Sequence, residues 1–513
     1  MSSKLMALAA LASLMTSMAM GDVQAADPVV KGPESVADWM SGGTAFITAG
    51  KALVDNTRRA RNVIIFIGDG MGIATQTAAR IHEGQRKGKT GEENRLAFET
   101  LPYSALSKTY SWDQQTSDSA PTATAIFTGY KAREGMLSVD HSTARYECDA
   151  AKVAAKSVPS ILELAAAANG RATGVVSTAR LTHATPGATY AHTPYRDWEA
   201  DSDIRIAGCG TKDIARQLVE VSPAVRASLK IAMGGGRSYF LPKADADPEY
   251  PSTKGRRDDG RNLTAEWVAS RGAGAAYVWN KAQFDAIDPA SSGPVLGLFE
   301  PSHMQYEADR AIDPAGEPSL TEMTDKAIRL LQKSGGDKGY FLHVEGGRID
   351  HAHHAGNARR ALEDTIELSN AVRRAMALTS EQDTLIIVTA DHSHAFTISG
   401  YPHRGNPILG LVKPVPNQDG NPTKPSLDKN GLPWTTLGYA NGPGHRGPGP
   451  RPDLSSVDTT ALNFLQKATV PLGSETHGGE DVGIWARGPK AYLVRGSMEQ
   501  NWIFHVMREA FGF

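Results

Sequence analysis

Four short segments concentrate the residue types that hold divalent cations. They are Gly68-Asp69-Gly70-Met71-Gly72, Leu181-Thr182-His183-Ala184-Thr185, Glu345-Gly346-Gly347-Arg348-Ile349-Asp350-His351-Ala352-His353-His354 and Asp391-His392-Ser393-His394. Imidazole and carboxylate together suit zinc, and carboxylate with hydroxyl oxygen suits magnesium or calcium. Asp350 and His354 stand four residues apart, a spacing that grips one ion from a helix face or a compact turn. Of the 15 histidines, five fall between His351 and His394, so the ligand types are clustered rather than scattered evenly. Taken singly, an Asp after an apolar run is usually a turn or a helix cap, and a lone His is an ordinary core or surface residue. The recurrence carries the argument. Glycines around Asp69 and after Glu345 also let backbone approach an ion or a phosphate closely.

A nucleophile lies in Thr116-Ser117-Asp118-Ser119-Ala120-Pro121-Thr122-Ala123-Thr124-Ala125. A polar lead runs into a small-residue helix with Pro121 near its start. A serine there faces the positive end of the helix dipole, where an anion also sits. A plain Ser cap is an equal reading of that segment alone. Serine is a poor nucleophile without a base or a metal. The chain shows no Gly-x-Ser-x-Gly elbow and no Ser-His-Asp order, so a metal-activated Ser119 is the coherent option.

Positioning these residues requires a sheet. Val63-Ile64-Ile65-Phe66-Ile67 is a short apolar run of the kind buried on both faces of a parallel sheet. The signature recurs at Gly174-Val175-Val176-Ser177, Tyr340-Phe341-Leu342-His343-Val344 and Leu385-Ile386-Ile387-Val388. Each run leads directly into one of the four ligand segments. In open α/β sheets, ligands bind beyond the carboxyl ends of the strands, so four strand ends would deliver Asp, His and Glu to one edge. Helices lie between. Ser160 and Glu163 make a capping box, and Gly170 is placed to stop the helix that follows. Leu362, Ile366, Val372 and Met376 share one helical face. The expected fold is a three-layer α/β/α sandwich around a mostly parallel sheet.

The chain has 513 residues, 40% hydrophobic and 21% charged, enough for one large globular core. Its formal net charge of -2 gives no reason to expect a nucleic acid or anionic membrane partner. Residues 1–25 read as a secretion signal: Lys4, an apolar run from Leu5 to Met20, and a small-residue cleavage site at Val23-Gln24-Ala25. A periplasmic or secreted location follows, and no later stretch is long and apolar enough to span a membrane. Residues 26–60 form an N-terminal arm, 61–399 and 476–513 the catalytic core, and 400–475 a Pro/Gly-rich insertion. The two cysteines, Cys148 and Cys209, are a disulfide candidate in an exported chain and ordinary thiols in a cytosolic one.

These blocks strongly resemble the alkaline phosphatase family, from about Pro33 to the C-terminus. The first strand with Asp69, the Asp118-Ser119-Ala120 segment, Glu345 to His351 and Glu475-Thr476-His477-Gly478-Gly479-Glu480-Asp481 carry the resemblance. It implies hydrolysis of phosphate monoesters through a phosphoserine at Ser119. It implies one zinc held by Asp350, His354 and His477, and a second by Asp69, Asp391 and His392. Magnesium would sit near Asp69, His183, Thr185 and Glu345. Arg196, in Thr193-Pro194-Tyr195-Arg196-Asp197, would clamp the phosphate, and His351 would reach it through water. His183 and His351 resemble animal-type members; some bacterial members carry Asp and Lys there. That imidazole opens the third site to cobalt or zinc. By the same resemblance, residues 400–475 correspond to a crown at a homodimer interface, and Cys148 and Cys209 fall where such members form a disulfide. A peripheral calcium site would use Glu249, Glu300, the Phe299 carbonyl and either Glu317 or Asp313.

A phosphodiesterase or a sulfatase on the same scaffold is the rival among enzymes. A sulfatase needs Cys/Ser-x-Pro-x-Arg, and Ser119-Ala120-Pro121-Thr122-Ala123 lacks the Arg. A non-catalytic metal-binding protein is the rival outside enzymes, and a complete nucleophile, metal and arginine set argues against it.

Overall fold

The computed structural model describes residues 35–290, 293–415, 423–447 and 449–513. The expected secretion signal, residues 1–25, and the first part of the expected N-terminal arm lie outside the described residues. Ten strands form one sheet. In chain order the eight that precede the insertion are β1 (Asn62–Gly68), β2 (Tyr103–Lys108), β3 (Ala172–Arg180), β4 (Leu229–Gly235), β5 (Ala276–Val278), β6 (Val295–Leu298), β7 (Tyr340–Gly346) and β8 (Thr384–Ala390). Two pairs of short strands come next in the chain, around and after the insertion: β9 (Ser393–His394) with β13 (His477–Gly478), and β10 (Phe396–Ile398) with β11 (Leu437–Gly442). β12 (Ala468–Pro471) extends the second pair to a three-stranded sheet, while β14 (Val482–Arg487) and β15 (Ser497–Glu499) return to the main one. The main order is β15-β2-β14-β8-β1-β7-β3-β4-β6-β5. Only β14 runs antiparallel to its neighbours, so the sheet is mostly parallel, as expected.

Every residue of β1, β7 and β8 is buried, which explains why each reads as an unbroken apolar run. Alternation along β1 divides the core. Val63, Ile65 and Ile67 join one hydrophobic cluster, and Ile64 and Phe66 join the other. The helices Ser119–Thr128, Ile161–Asn169 and Trp502–Phe511 cover the first face. Helices Ile73–Arg86, Leu320–Gly335 and Ala358–Leu378 cover the second, the last through Leu362, Ile366 and Val372. The result is the three-layer sandwich. Ser160 and Glu163 form the expected capping box, and Gly170 ends that helix at φ 58°, a left-handed backbone that glycine adopts without strain.

Register sets the site. Gly68 of β1 lies opposite Gly346 of β7 and Ala390 of β8. The three central strands therefore end level, and the residues just beyond them emerge at one edge. β13 pairs with β9 so that His477 stands opposite His394, bringing a residue from beyond the insertion to that edge.

Two features lie outside this framework. Helix Val36–Ala52 carries a Ser35–Asp38 capping box but buries no residue, and leaves Trp39 and Phe46 64% and 78% exposed. Cys148 and Cys209 are bonded, closing a loop across 61 positions of sequence. Within the insertion, Ile408, Leu409, Leu437 and Tyr439 are buried, so its described parts are packed against the core rather than solvated. Among the described residues no helix is long and apolar enough to cross a membrane.

A cross-link over a loop of this length constrains the unfolded chain. Cys148→Ser is expected to cost roughly 2–4 kcal/mol of stability. Thermal unfolding of the variant and of the reduced wild type should show the same loss, and an unchanged midpoint would contradict it.

Candidate functional site

Asp69 follows β1 directly, Glu345 is the sixth residue of β7, and Asp391 and His392 follow β8. Asp350 and His354 lie one turn apart on the helix Arg348–His354. His183 follows β3 and precedes the short helix Ala184–Gly187, which holds Thr185. The nine residues predicted as metal ligands thus come from four strand ends and one returning strand.

Eight of them, joined by His394, gather into three groups, and Thr185 lies two residues after His183. The facing atoms of Asp350, His354, His394 and His477 lie within 4.8 Å of one another, as do those of Asp69, Asp391 and His392 and those of Asp69, His183 and Glu345. Asp69 belongs to two groups and is placed to bridge them. His354 Nε2 is 3.3 Å from Asp350 Oδ1, and His477 Nε2 is 3.4 Å from the same oxygen. His392 Nε2 is 3.3 Å from Asp69 Oδ1 and 3.4 Å from Asp391 Oδ2.

The donor sets fit divalent cations. Asp69 Oδ2, Glu345 Oε1 and His183 Nδ1 are buried without a hydrogen-bond partner. Burial, then the neighbouring Asp391, Asp350 and Glu345 carboxylates, push Asp69 well above the usual carboxylate range. Burial likewise pushes Glu345 to about 8, with Asp391 adding to it against the Ser177 hydrogen bond. Crowded, buried carboxylates of this kind need positive charge beside them. Asp350 shows the complement. Burial would raise it, but His354, His394 and His477 outweigh burial and hold it well below the usual range.

Ser119 occupies the first position of its helix. The cap is Asp118, whose carboxylate accepts from the Ala120 N–H at 3.3 Å. Ser119 is therefore free of the capping role that its sequence left open. Its Oγ lies 2.9 Å from His392 Nε2 and 3.4 Å from Asp69 Oδ1, where a nucleophile can lose its proton. Arg196 reaches the same place. Its guanidinium pairs with Asp118 and meets His183 Nε2 at 2.7 Å, and its backbone N–H donates to Gly135 O at 2.7 Å. Burial opposes its charge, but Asp118, Asp197 and Asp69 outweigh burial and keep it cationic. His351 sits one position after Asp350, with its ring 5.4 Å from that of His183.

Four residues had no role assigned from sequence. Asp118 supplies both the cap and the partner of Arg196. His394 joins Asp350 at 2.8 Å to Glu475 at 2.5 Å, a member of the first group that was not among the residues predicted. Burial raises Glu475 to about 8. His303 packs on His351 with ring centroids 3.9 Å apart. His394 and Glu475 both lay inside conspicuous blocks, but nothing in their spacing marks a residue that supports a ligand.

The second acidic cluster brings Glu249, Glu300 and Asp313 together within 4.8 Å. Tyr250 Oη is 3.2 Å from Glu300 and 3.3 Å from Asp313. Of the two alternatives for a fourth ligand, Asp313 is the one in this group. Glu317 is adjacent and accepts from the Gln305 N–H at 2.9 Å; burial, then Glu300 and Asp313, push it to about 9. Phe299 places its ring in the core against Phe284.

The family model for alkaline phosphatase matches residues 60–513. The tissue-nonspecific alkaline phosphatase of Gallus gallus is 46% identical over 463 residues, 89% of this chain and 85% of that protein. The alkaline phosphatase of Gadus morhua is 44% identical over 464 residues, 89% and 92% of the two. Among solved structures, the alkaline phosphatase of Thermus thermophilus is 25% identical with a TM-score of 0.61, covering 89% of this chain and 92% of that one.

The His394–Glu475 contact generates a test. Glu475→Gln is expected to weaken divalent-cation binding at the group Asp350, His354, His394 and His477 by roughly 10–100-fold, because it loosens the imidazole that contacts Asp350. Competition with a chelator measures this, and wild-type affinity would contradict the supporting role.

Proposed function

The chain belongs to the alkaline phosphatase family of metal-dependent phosphomonoesterases, and we propose that it hydrolyses phosphate monoesters by transfer to Ser119. The observation that carries this reading is the convergence of Ser119, Arg196 and three ligand groups on one sheet edge. Asp350, His354 and His477 would hold one zinc and Asp69, Asp391 and His392 the second; Asp69, His183, Thr185 and Glu345 would hold magnesium. When bound, such ions supply charge to the attacking and leaving oxygens of an in-line displacement.

The chain's own groups do the rest. Arg196 presents a planar fork that matches two phosphate oxygens, and Asp118 sets its orientation. The N-terminus of the helix Ser119–Thr128 offers further positive potential to the phosphate. Ser119 Oγ attacks phosphorus, the alcohol leaves, and a phosphoserine forms. Water then attacks the phosphoserine and releases inorganic phosphate, restoring Ser119. His351 lies on the phosphate side and reaches it through water. His183 leaves the third ion open to zinc or cobalt, since a neutral imidazole is a softer ligand than carboxylate.

The wider setting is part of the same reading. Residues 1–25 direct export to the periplasm or beyond, and the disulfide suits such a compartment. The chain works as a homodimer. The exposed apolar side chains of the helix Val36–Ala52 support this, because a helix that buries nothing of its own gains stability by packing elsewhere. Calcium at Glu249, Glu300 and Asp313, with the Phe299 carbonyl, would relieve the repulsion that burial and its neighbours impose on Glu300, raised to about 8.

Ser119→Ala should lose at least roughly 10³-fold in kcat on p-nitrophenyl phosphate while keeping its bound metal. The bis ester should be turned over far more slowly than the monoester by the wild type. Full activity of Ser119→Ala would refute the serine mechanism, and preference for the bis ester would make the enzyme a phosphodiesterase.

A further inference from the structure

His351 is held by packing rather than by hydrogen bonds. Among the described residues no side-chain hydrogen bond orients it, and its Nδ1 is buried without a partner. Two rings confine it instead. His303 lies at 3.9 Å between centroids and 53° between planes, and His183 at 5.4 Å and 58°. His183 is itself tied to Arg196. His303 is tied to a separate chain of contacts. The Arg180 backbone N–H donates to its Nδ1 at 3.2 Å, and the Arg180 guanidinium meets its Nε2. Arg180 in turn is gripped by both oxygens of Glu199, at 2.8 and 2.6 Å. The Thr182 hydroxyl donates to Glu199 as well, at 2.5 Å, next in sequence to His183.

From this we infer that His303 is a positioning residue, which fixes the His351 imidazole toward the substrate phosphate and is itself fixed by Arg180 and Glu199. The inference rests on the proposed phosphate-side role of His351. An imidazole without hydrogen bonds is free to turn once a flanking ring is removed, and it then spends less time facing the anion. The segment Ser302-His303-Met304 follows β6 and sits over the same sheet edge as the ligands, so the contact comes from the fold and not from the block that contains His351.

The test uses the full-length enzyme loaded with zinc and magnesium, with inorganic phosphate as the probe. Phosphate affinity is read by titration calorimetry and by competitive inhibition, and zinc per chain is measured alongside. His303→Ala should weaken phosphate binding roughly three- to tenfold, the worth of one well-placed ring pair, with zinc content unchanged. His303→Phe keeps the ring and should stay within about twofold of wild type. In a His351→Ala background, His303→Ala should add nothing. If His351→Ala itself leaves phosphate affinity unchanged, the phosphate-side role of His351 fails. If His351→Ala weakens phosphate but His303→Ala does not, or adds its full effect in the double variant, the positioning role fails. Loss of zinc or of thermal stability in His303→Ala would make the residue part of the framework and would overturn the inference too.

Discussion

Buried carboxylates crowded at one sheet edge repel one another, and the site depends on how that repulsion is met. Asp69, Glu345, Asp350 and Asp391 are all buried at the same rim. Burial and the neighbouring carboxylates push both Asp69 and Glu345 upward. Imidazoles answer part of the charge around Asp350, and Arg196 answers part of it beside Asp118. The orphaned oxygens of Asp69 and Glu345 mark where protein groups answer nothing. Divalent cations would complete this balance.

The fold makes that crowding possible. A parallel sheet whose central strands end level can present several acidic residues at one height, and apolar faces on both sides hold the strands in register. The same edge receives the N-terminus of the helix Ser119–Thr128. A cluster of acidic and imidazole side chains, a positive helix end and one arginine then stand around a single serine. Such a site would bind a phosphate dianion without presenting net repulsion to it.

Much of this was legible in the sequence because it is local. The run Val63 to Ile67 reads as a buried strand because it is short, apolar and β-branched, and the structure buries all of it. Ser160, Glu163 and Gly170 read as helix boundaries because capping is chemistry among near neighbours. His477 is different. It arrives by a two-residue pairing with β9 across a long insertion, and only the family resemblance pointed to it. His303 and the His394–Glu475 pair were not read, since their roles are contacts made by tertiary packing and carry no spacing of their own. The exposure of the helix Val36–Ala52 was equally hidden, because its composition does not say whether its apolar side chains meet this chain or another.

An edge built around divalent ions works only with them. Elemental mass spectrometry on the purified protein, paired with monoester turnover on the same sample, tests it most directly. The expected result is two zinc ions and one magnesium ion per chain, with turnover falling in proportion as zinc is withdrawn. Full turnover from protein carrying less than one divalent ion per chain would contradict it.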